Sequence, residues 1–466
     1  MQILRIKNKL IGDRKFYKRV ISIVLPIIVQ MLITNIVTLL DNVMVGRLGT
    51  LEMSAVAIVN QLIFIFNLCI FGGLAGAGIF STQYAGANDD EGVRYCFRFK
   101  IIISIIMVVL SVIVFLQFSK PLILMYFAEG TSAADATTTL IHATNYLKVM
   151  LIGILPFAMS QVFASTLREM GKTVVPMIAS ISAIVINFFL NLVLIFGLIG
   201  FPKLGVVGAA VATVISRYVE MLIVVIVIIV NRKKYTFIQG AFRSLYVPKS
   251  LYVKIITKGM PLLVNEFLWS TGMAILLKCY SARGLSVVAA LNISNTVNNL
   301  FNVVFLSMGN AVAIIVGQHL GNNEIKEAKA SVWKLIAFTE VCCLTIGTLM
   351  AIASPFIPHI YNTEHEVRMM ATKFLFVAAA YMPLYAFAHN CYFTIRSGGR
   401  TGITFLFDSV FTWCVAVPFA SILASFTTLP ILPLYMLVQG LDVIKCTIGF
   451  IMIKKGVWVR NLINNT

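Results

Sequence analysis

Three acidic residues, Asp41, Glu266 and Asp408, lie in segments that are otherwise apolar. A charged side chain at the centre of a lipid bilayer costs about 3 kcal/mol on insertion scales, so such residues commonly pair with another group or bind an ion. A carboxylate can hold a metal cation together with neutral oxygen ligands, or it can take up and release a proton. The three acids are therefore candidates for cation or proton binding.

Asp41 ends a row of polar residues in the first apolar segment. Gln30, Thr34, Thr38 and Asp41 are spaced by four, four and three residues, which places them on one face of a helix. Such a face must meet protein or water rather than lipid. The pattern predicts a polar pocket around Asp41.

Three further residues can complete a site around Asp41. Asn187 and Asn191 share one face of a later segment, and Thr213 lies within a run of small residues. With the Asp41 carboxylate they supply the oxygen ligands that suit Na⁺, whereas a proton would need only the carboxylate. We expect a cation-coupling site here, with Na⁺ held by Asp41, Asn187 and Asn191 as one form. The alternative is that Asp41 sits at the membrane interface and the asparagines only join helices.

Glu266 follows Pro261 by five residues and is expected to bind a coupling ion or a cationic compound. The next segment carries five asparagines at short helical spacing, Asn292, Asn295, Asn298, Asn299 and Asn302. The alternative is a structural acid capped by these amides. The side chains expected to line a substrate cleft are Gln30, Thr34, Thr38, Asn265, Trp269, Asn292, Asn295 and Asn299.

Asp408 lies seven residues after Thr401, about 11 Å into its segment at the rise of an α-helix. This position is nearer to the cytoplasmic end of the segment than to its centre. A structural or gating role is therefore at least as consistent with the sequence as ion binding.

Twelve apolar segments, each long enough to cross a bilayer, account for most of the chain. Its 466 residues are 59% hydrophobic and only 12% charged, whereas soluble domains carry about 25% charged residues. We expect an all-α polytopic membrane protein with 12 transmembrane helices in two pseudo-symmetric six-helix bundles. The segments lie approximately at 20–42, 53–80, 98–119, 139–166, 174–199, 205–231, 251–281, 286–318, 329–353, 366–395, 401–425 and 430–454.

Basic residues collect on one side of the expected membrane. They are concentrated in the tail up to Arg19, in the connection from Arg232 to Lys258 and in the last residues around Lys455. The positive-inside rule then places both termini in the cytoplasm and accounts for the net charge of +19 without nucleic acid. We expect a monomer in the cytoplasmic (inner) membrane of a bacterium or archaeon. The eight cysteines include no CxxC pair, and we expect no cofactor.

An internal repeat divides the chain into two halves. IFSTQYAGAN at 79–88 matches IIVGQHLGNN at 314–323 with an offset of 235 residues, which Pro26 and Pro261 share. Pro156 and Pro383 repeat with an offset of 227, which becomes 228 at the end of the motif that follows each proline. Two matched six-span halves are typical of alternating-access carriers. The sequence therefore predicts an N-lobe at 1–231, a cytoplasmic linker at 232–250 and a C-lobe at 251–466.

Several segments together resemble the multidrug and toxic compound extrusion (MATE) family, across all twelve expected helices. The resemblance implies two six-helix lobes with a central cleft, and export of cationic, often aromatic, compounds in exchange for Na⁺ or protons. The segments are Asp41-Asn-Val-Met-Val-Gly-Arg-Leu-Gly49, Gln83-Tyr-Ala-Gly-Ala-Asn88, Leu167-Arg-Glu-Met-Gly-Lys-Thr173, the Asn187 to Gly197 stretch and Val316-Gly-Gln-His-Leu-Gly321.

The resemblance also implies roles for individual residues. Asp41 and Asn187 match the N-lobe cation site, and Glu266 matches the acid of the other lobe. Asn191 stands where many bacterial and archaeal members carry an aspartate, which removes one charge from the N-lobe site.

Three other classes of function compete with this interpretation, and one of them is a sensor, channel or structural membrane protein. A flippase for lipid-linked sugars or peptidoglycan precursors would need arginines in the cleft for its anionic cargo, and the middle parts of the first, second, seventh and eighth spans carry none. An enzyme is not expected, because the sequence shows no phosphate loop, metal cluster or nucleophile with a matching base.

Overall fold

The computed structural model describes residues 10–127, 132–361 and 363–464, and the regular elements of these ranges are helical. The expectation of an all-α polytopic membrane protein is confirmed. The helices are α1 Arg14–Gly46, α2 Thr50–Gly86, α3 Asp90–Leu124, α4 Ala133–Ile152, α5 Ile154–Glu169, α6 Val174–Phe196, α7 Gly205–Val230, α8 Lys249–Ser281, α9 Leu285–Gly321, α10 Ile325–Ala353, α11 His365–Ser397, α12 Thr401–Phe426, α13 Ile431–Gly440 and α14 Asp442–Lys455.

By length and composition, 11 spans in the described residues can cross a membrane, and up to 12 if one bent pair counts as a single span. That pair is α4 and α5, which meet at an angle of 45°. The sequence predicted one continuous span at 139–166, whereas the helix breaks at Gly153. Pro156 explains the break, since it has no N–H to donate to the carbonyl of Ile152.

Contacts group the described residues into two compact units. The N-unit consists of Val29–Ser81 and Asp90–Val253. The C-unit consists of the described residues up to Ile28, of Thr82–Asp89 and of the described residues from Lys254 onward. The lobe boundaries expected from the sequence stay a prediction.

Gln83 shows why the end of α2 belongs to the C-unit. Its side chain is fully buried, and Nε2 donates to the carbonyl of Ser397 at 3.0 Å. Its Oε1 accepts from the backbone N–H of Leu462 at 2.8 Å. One amide therefore joins α2, the end of α11 and the segment after α14.

The repeat seen in the sequence is also present in the backbone. Asn88 and Asn323 both adopt left-handed conformations, with φ of 56° and 59°. A Cβ added to Gly86 would overlap the backbone of Gln318, and one added to Gly321 would overlap the backbone of Gln83. Because the two contacts mirror each other, α2 and α9 cross at equivalent points of the two halves.

The connection between α7 and α8 is anchored on α3 within the N-unit. The Arg98 guanidinium donates to the carbonyls of Gly240 at 2.8 Å, Ala241 at 2.9 Å and Tyr246 at 3.2 Å. Phe237 is fully buried, with its ring centroid 5.3 Å from that of Phe97. The basic segment after α7 is therefore a docked element of the fold.

Candidate cation-binding sites

Asp41 lies near the end of α1 and meets the two asparagines of α6. Asn191 Nδ2 donates to Asp41 Oδ1 at 2.8 Å and to Asn187 Oδ1 at 3.1 Å. Thr213 of α7 completes the group, with its Oγ1 3.4 Å from Asn187 Nδ2. The structure thus brings together the four residues that the sequence predicts at the N-lobe site, with both asparagines buried and Asp41 half-buried.

The amide of Asn187 can face Asp41 in two ways, since its oxygen and nitrogen have nearly the same shape. With the nitrogen toward Asp41, it donates to Oδ2 at 3.1 Å and its oxygen accepts from the Thr213 N–H at 3.3 Å. With the oxygen toward Asp41, two acceptors face each other, which requires a proton or a cation between them. The orientation with the nitrogen toward Asp41 pairs the carboxylate without a bound ion, and it takes the place of the bond from Asn191 to Asn187.

Asp41 has no basic partner among the described residues. The Lys–carboxylate ion pairs there are Lys100 with Glu169 and Lys445 with Asp408, at 2.5 and 2.9 Å. Neutral hydrogen bonds alone offset the charge of Asp41, although it lies within a membrane-spanning helix. Asn191 Oδ1 is also buried without a hydrogen-bond partner in the described structure. A carboxylate next to an unused amide oxygen fits Na⁺ as a ligand set.

The other polar residues of α1 fall into two groups. Thr34 and Thr38 are exposed and donate to the carbonyls one turn earlier, both at 2.8 Å. Gln30 instead donates to Ser180 Oγ at 2.7 Å, and Ser180 donates to Glu220 Oε1 at 2.5 Å. We call Gln30, Ser180 and Glu220 the first-half triad. The sequence predicts Gln30 in the substrate cleft, but its two partners were missed.

The C-unit holds a second chain of polar contacts. Asn265 is buried, and its Nδ2 donates to Asp408 Oδ2 at 3.1 Å. Ser409 Oγ donates to Asn265 Oδ1 at 2.7 Å. Lys445 Nζ donates to Asp408 Oδ1 at 2.9 Å. We call Asn265, Asp408 and Lys445 the second-half triad.

Lys445 is the member of this triad that sequence reasoning missed, since a lysine in the last span can also extend to the membrane surface. The π-helical turns Leu406–Val410 and Thr412–Ala416 within α12 place Asp408 opposite Lys445. Such turns frequently occur at functional sites, and neither hydropathy nor helical spacing indicates them. The repeat offset of 228 relates Asp408 to Ser180, so it signals a polar position at Asp408 but does not point to Lys445.

Exposed polar side chains mark a second feature of the C-unit. Asn292, Asn295 and Asn299 lie on one face of α9 and are exposed, as is Trp269 of α8. Glu266 is partly buried. Amides in the middle of a membrane span avoid lipid, so this face of α9 is suited to a water-filled cavity.

The described chain is a multi-pass helical protein with an internal repeat. It also holds a carboxylate without a basic partner inside a span, and together these are features of membrane transporters. The MatE family model matches residues 26–193 and 261–422, once in each half, and the chain belongs to this family.

Curated relatives and solved structures agree with this assignment. The chain is 25% identical to the probable multidrug resistance protein NorM of Halalkalibacterium halodurans and 27% identical to the probable multidrug resistance protein YoeA of Bacillus subtilis, over 88% of each chain in both cases. A solved structure of a multidrug resistance MATE family transporter in an outward-facing conformation matches with a TM-score of 0.84 and 21% identity, over 96% of each chain. This structural likeness shows the fold.

Proposed function

We propose that the protein is a secondary active antiporter that exports cationic or amphipathic organic compounds in exchange for Na⁺ or H⁺. The names of its relatives support multidrug efflux as the activity. The alternating-access cycle would follow a rocker-switch mechanism, in which the two six-span halves move as bundles. We place the protein in the cytoplasmic membrane of a bacterium or archaeon, as a monomer with both termini in the cytoplasm.

The Asp41 carboxylate is the observation that carries this proposal. It accepts a hydrogen bond from Asn191 and has no basic partner among the described residues. A carboxylate in this position is stabilised when a proton or a metal cation neutralises it. Binding of the coupling ion at Asp41, Asn187, Asn191 and Thr213 would therefore change the energy of the first half and bias the transport cycle.

The expected cargo follows from the side chains that are exposed inside spans. Amides on α9 and the indole of Trp269 can contact an aromatic cation, and Glu266 supplies a nearby negative charge. The helices α2 and α9 contain no arginine or lysine. An anionic lipid-linked cargo would lack basic partners there, so a cationic or neutral compound fits better.

Uptake of ethidium into everted membrane vesicles, which corresponds to export from the cell, tests the proposal. Vesicles with an imposed Na⁺ gradient or an imposed pH gradient should accumulate ethidium under one of the two conditions. Asp41→Asn should lower this gradient-driven rate by at least about tenfold, because the neutral amide cannot bind the coupling ion electrostatically. Glu327→Gln, which makes the same change on an exposed residue of α10, is the matched control.

Two results would count against the proposal. If wild-type vesicles accumulate ethidium under neither gradient, export of ethidium is not coupled to Na⁺ or to protons. A wild-type rate in Asp41→Asn under the effective gradient would remove Asp41 from the coupling site.

A further inference from the structure

The ammonium group of Lys445 occupies a pocket of unusual composition for a lysine inside a membrane span. It lies 2.9 Å from Asp408 Oδ1. The ring centroids of Phe411 and Phe407 lie 5.5 and 5.9 Å from Nζ. The Lys445 and Asp408 side chains are only 14% and 20% exposed. A carboxylate and two aromatic rings thus surround one cation.

This is the composition of sites that bind organic ammonium ions. Aromatic faces attract a cation through the ring quadrupole, and a carboxylate adds a direct charge interaction. Here the bound cation is a side chain of the protein itself. A soluble ammonium compound would find the same partners if Lys445 moved away.

The carboxylate is held in place independently of Lys445. Asn265 donates to Asp408 Oδ2, the oxygen that Lys445 does not contact. The indole of Trp413 donates to the carbonyl of Leu268 at 2.9 Å and joins α12 to α8. Asp408 would therefore remain oriented after its ion pair opened, which a binding carboxylate requires.

Lys445 also has a second acid within electrostatic range. Asp442 lies three residues earlier on α14 and is partly buried. Residues three apart on a helix are neighbours, so a lysine can turn from one acid to the other without moving its backbone. Asp442 is therefore the acid to which the ammonium group would turn on leaving Asp408.

We propose that Asp408, Phe407 and Phe411 form a second binding site for organic ammonium cations, and that Lys445 is an internal competitor for it. The transported cation displaces Lys445 toward Asp442, and Lys445 returns to Asp408 when the cation leaves. This inference rests on the proposed function, since it concerns the cargo of the same transporter.

Binding of ethidium to the purified protein in nanodiscs, measured by fluorescence titration, tests the internal competitor. Lys445→Gln removes the charge and keeps an N–H donor on a slightly shorter side chain. It should bind ethidium about tenfold more tightly than the wild type, because the competing cation is gone. The gain should disappear in Lys445→Gln with Asp408→Asn. Lys445→Arg keeps the positive charge and should bind ethidium as the wild type does or more weakly.

A second measurement covers the case in which Lys445→Gln is not monodisperse. The double variant replaces the ion pair by two neutral amides and leaves no buried charge without a partner. Its ethidium export should be at least about fivefold slower than that of the wild type, whereas a purely structural ion pair would leave export unchanged.

The outcomes separate this inference from the proposed function. If wild-type vesicles export ethidium but Lys445→Gln binds it no more tightly, Asp408 is not a masked cation site and the proposed function stands. If no variant binds ethidium and the wild type does not export it, both fail.

Discussion

Two members of the first-half triad have repeat equivalents in the second-half triad, but the charges of the two triads differ. Gln30 and Asn265 are related by the repeat offset of 235, and Ser180 and Asp408 by the offset of 228. The first-half triad has a neutral hydroxyl at its centre and ends on an acid. The second-half triad has an acid at its centre and ends on an ammonium group. The repeat therefore preserves the position of a polar contact and not its charge.

The Asp41 site shows a stronger difference between the halves. Its counterparts in the second half belong to one hydrophobic cluster, in which Leu276 and Tyr435 are buried and Phe419 packs against them. By the offsets of 235 and 228, Leu276 and Phe419 correspond to Asp41 and Asn191. In the last span of each half the offset is 222, which relates Tyr435 to Thr213. The scaffold is duplicated, but an acid uncompensated by basic groups stands at this position only in the first half. The second half compensates Asp408 with a lysine, which suggests a division of labour between ion and cargo.

The largest expected effect comes from moving the acid to the other half. Leu276→Asp should lower the free energy of unfolding by more than about 5 kcal/mol, since it removes buried apolar packing and leaves a charge without amide partners. Leu276→Met, which conserves volume, should cost less than about 1.5 kcal/mol. Denaturant unfolding in detergent measures both. A stable Leu276→Asp protein would contradict the view that the acid needs the asparagines of its own half.

Breaking the second-half ion pair should have the next largest effect. Lys445→Met leaves Asp408 buried without its cation and should cost about 3–5 kcal/mol in free energy of unfolding. Combining it with Asp408→Asn should restore most of that loss. If the single and double variants unfold alike, the pair does not stabilise the C-unit.

Alanine substitutions on the two sides of the crossing of α2 and α9 should lower stability equally. Gly86→Ala and Gly321→Ala each place a Cβ against the backbone of the opposite helix, and each should cost about 1–3 kcal/mol in unfolding free energy. Gly402→Ala adds a Cβ where nothing lies within 4 Å and serves as the control. If Gly86→Ala and Gly321→Ala lower the unfolding free energy by different amounts, the two crossing contacts are not energetically equivalent, although their backbone geometry is.

The smallest expected effect concerns the first-half triad. Ser180→Ala removes the hydroxyl between Gln30 and Glu220 and should cost about 1–2 kcal/mol, because two hydrogen-bonding groups lose their partner. Gradient-driven ethidium export should change less than in Asp41→Asn. If Ser180→Ala slows export as much as Asp41→Asn does, the first-half triad also takes part in ion coupling.

The sequence was sufficient for the class of fold, because twelve apolar segments leave few choices once the bilayer sets their length. The sequence also predicted that Asp41, Asn187, Asn191 and Thr213 form one group, because helical spacing and the family resemblance indicated the same residues. The break at Gly153 was missed because hydropathy does not register a lost hydrogen bond.

The remaining differences come from tertiary contacts. Lys445 was not matched to Asp408, since the π-helical turns that position Asp408 leave no signal in hydropathy or spacing. Asn265 was expected in the cleft, whereas it is buried and orients Asp408. The docking of the interhalf connection by Arg98 depends on three backbone carbonyls, whose positions no side-chain pattern specifies.

The central claim is that a bound ion neutralises Asp41, whereas the ammonium group of Lys445 neutralises Asp408. The most direct test measures the ions that purified protein releases when ethidium is added. Proton release is followed with a pH indicator in weak buffer, and Na⁺ release with protein preloaded with ²²Na⁺. The wild type and the double variant Asp408→Asn with Lys445→Gln should release the coupling ion, and Asp41→Asn should release none. Ion release that persists in Asp41→Asn and is lost in the double variant would contradict the account.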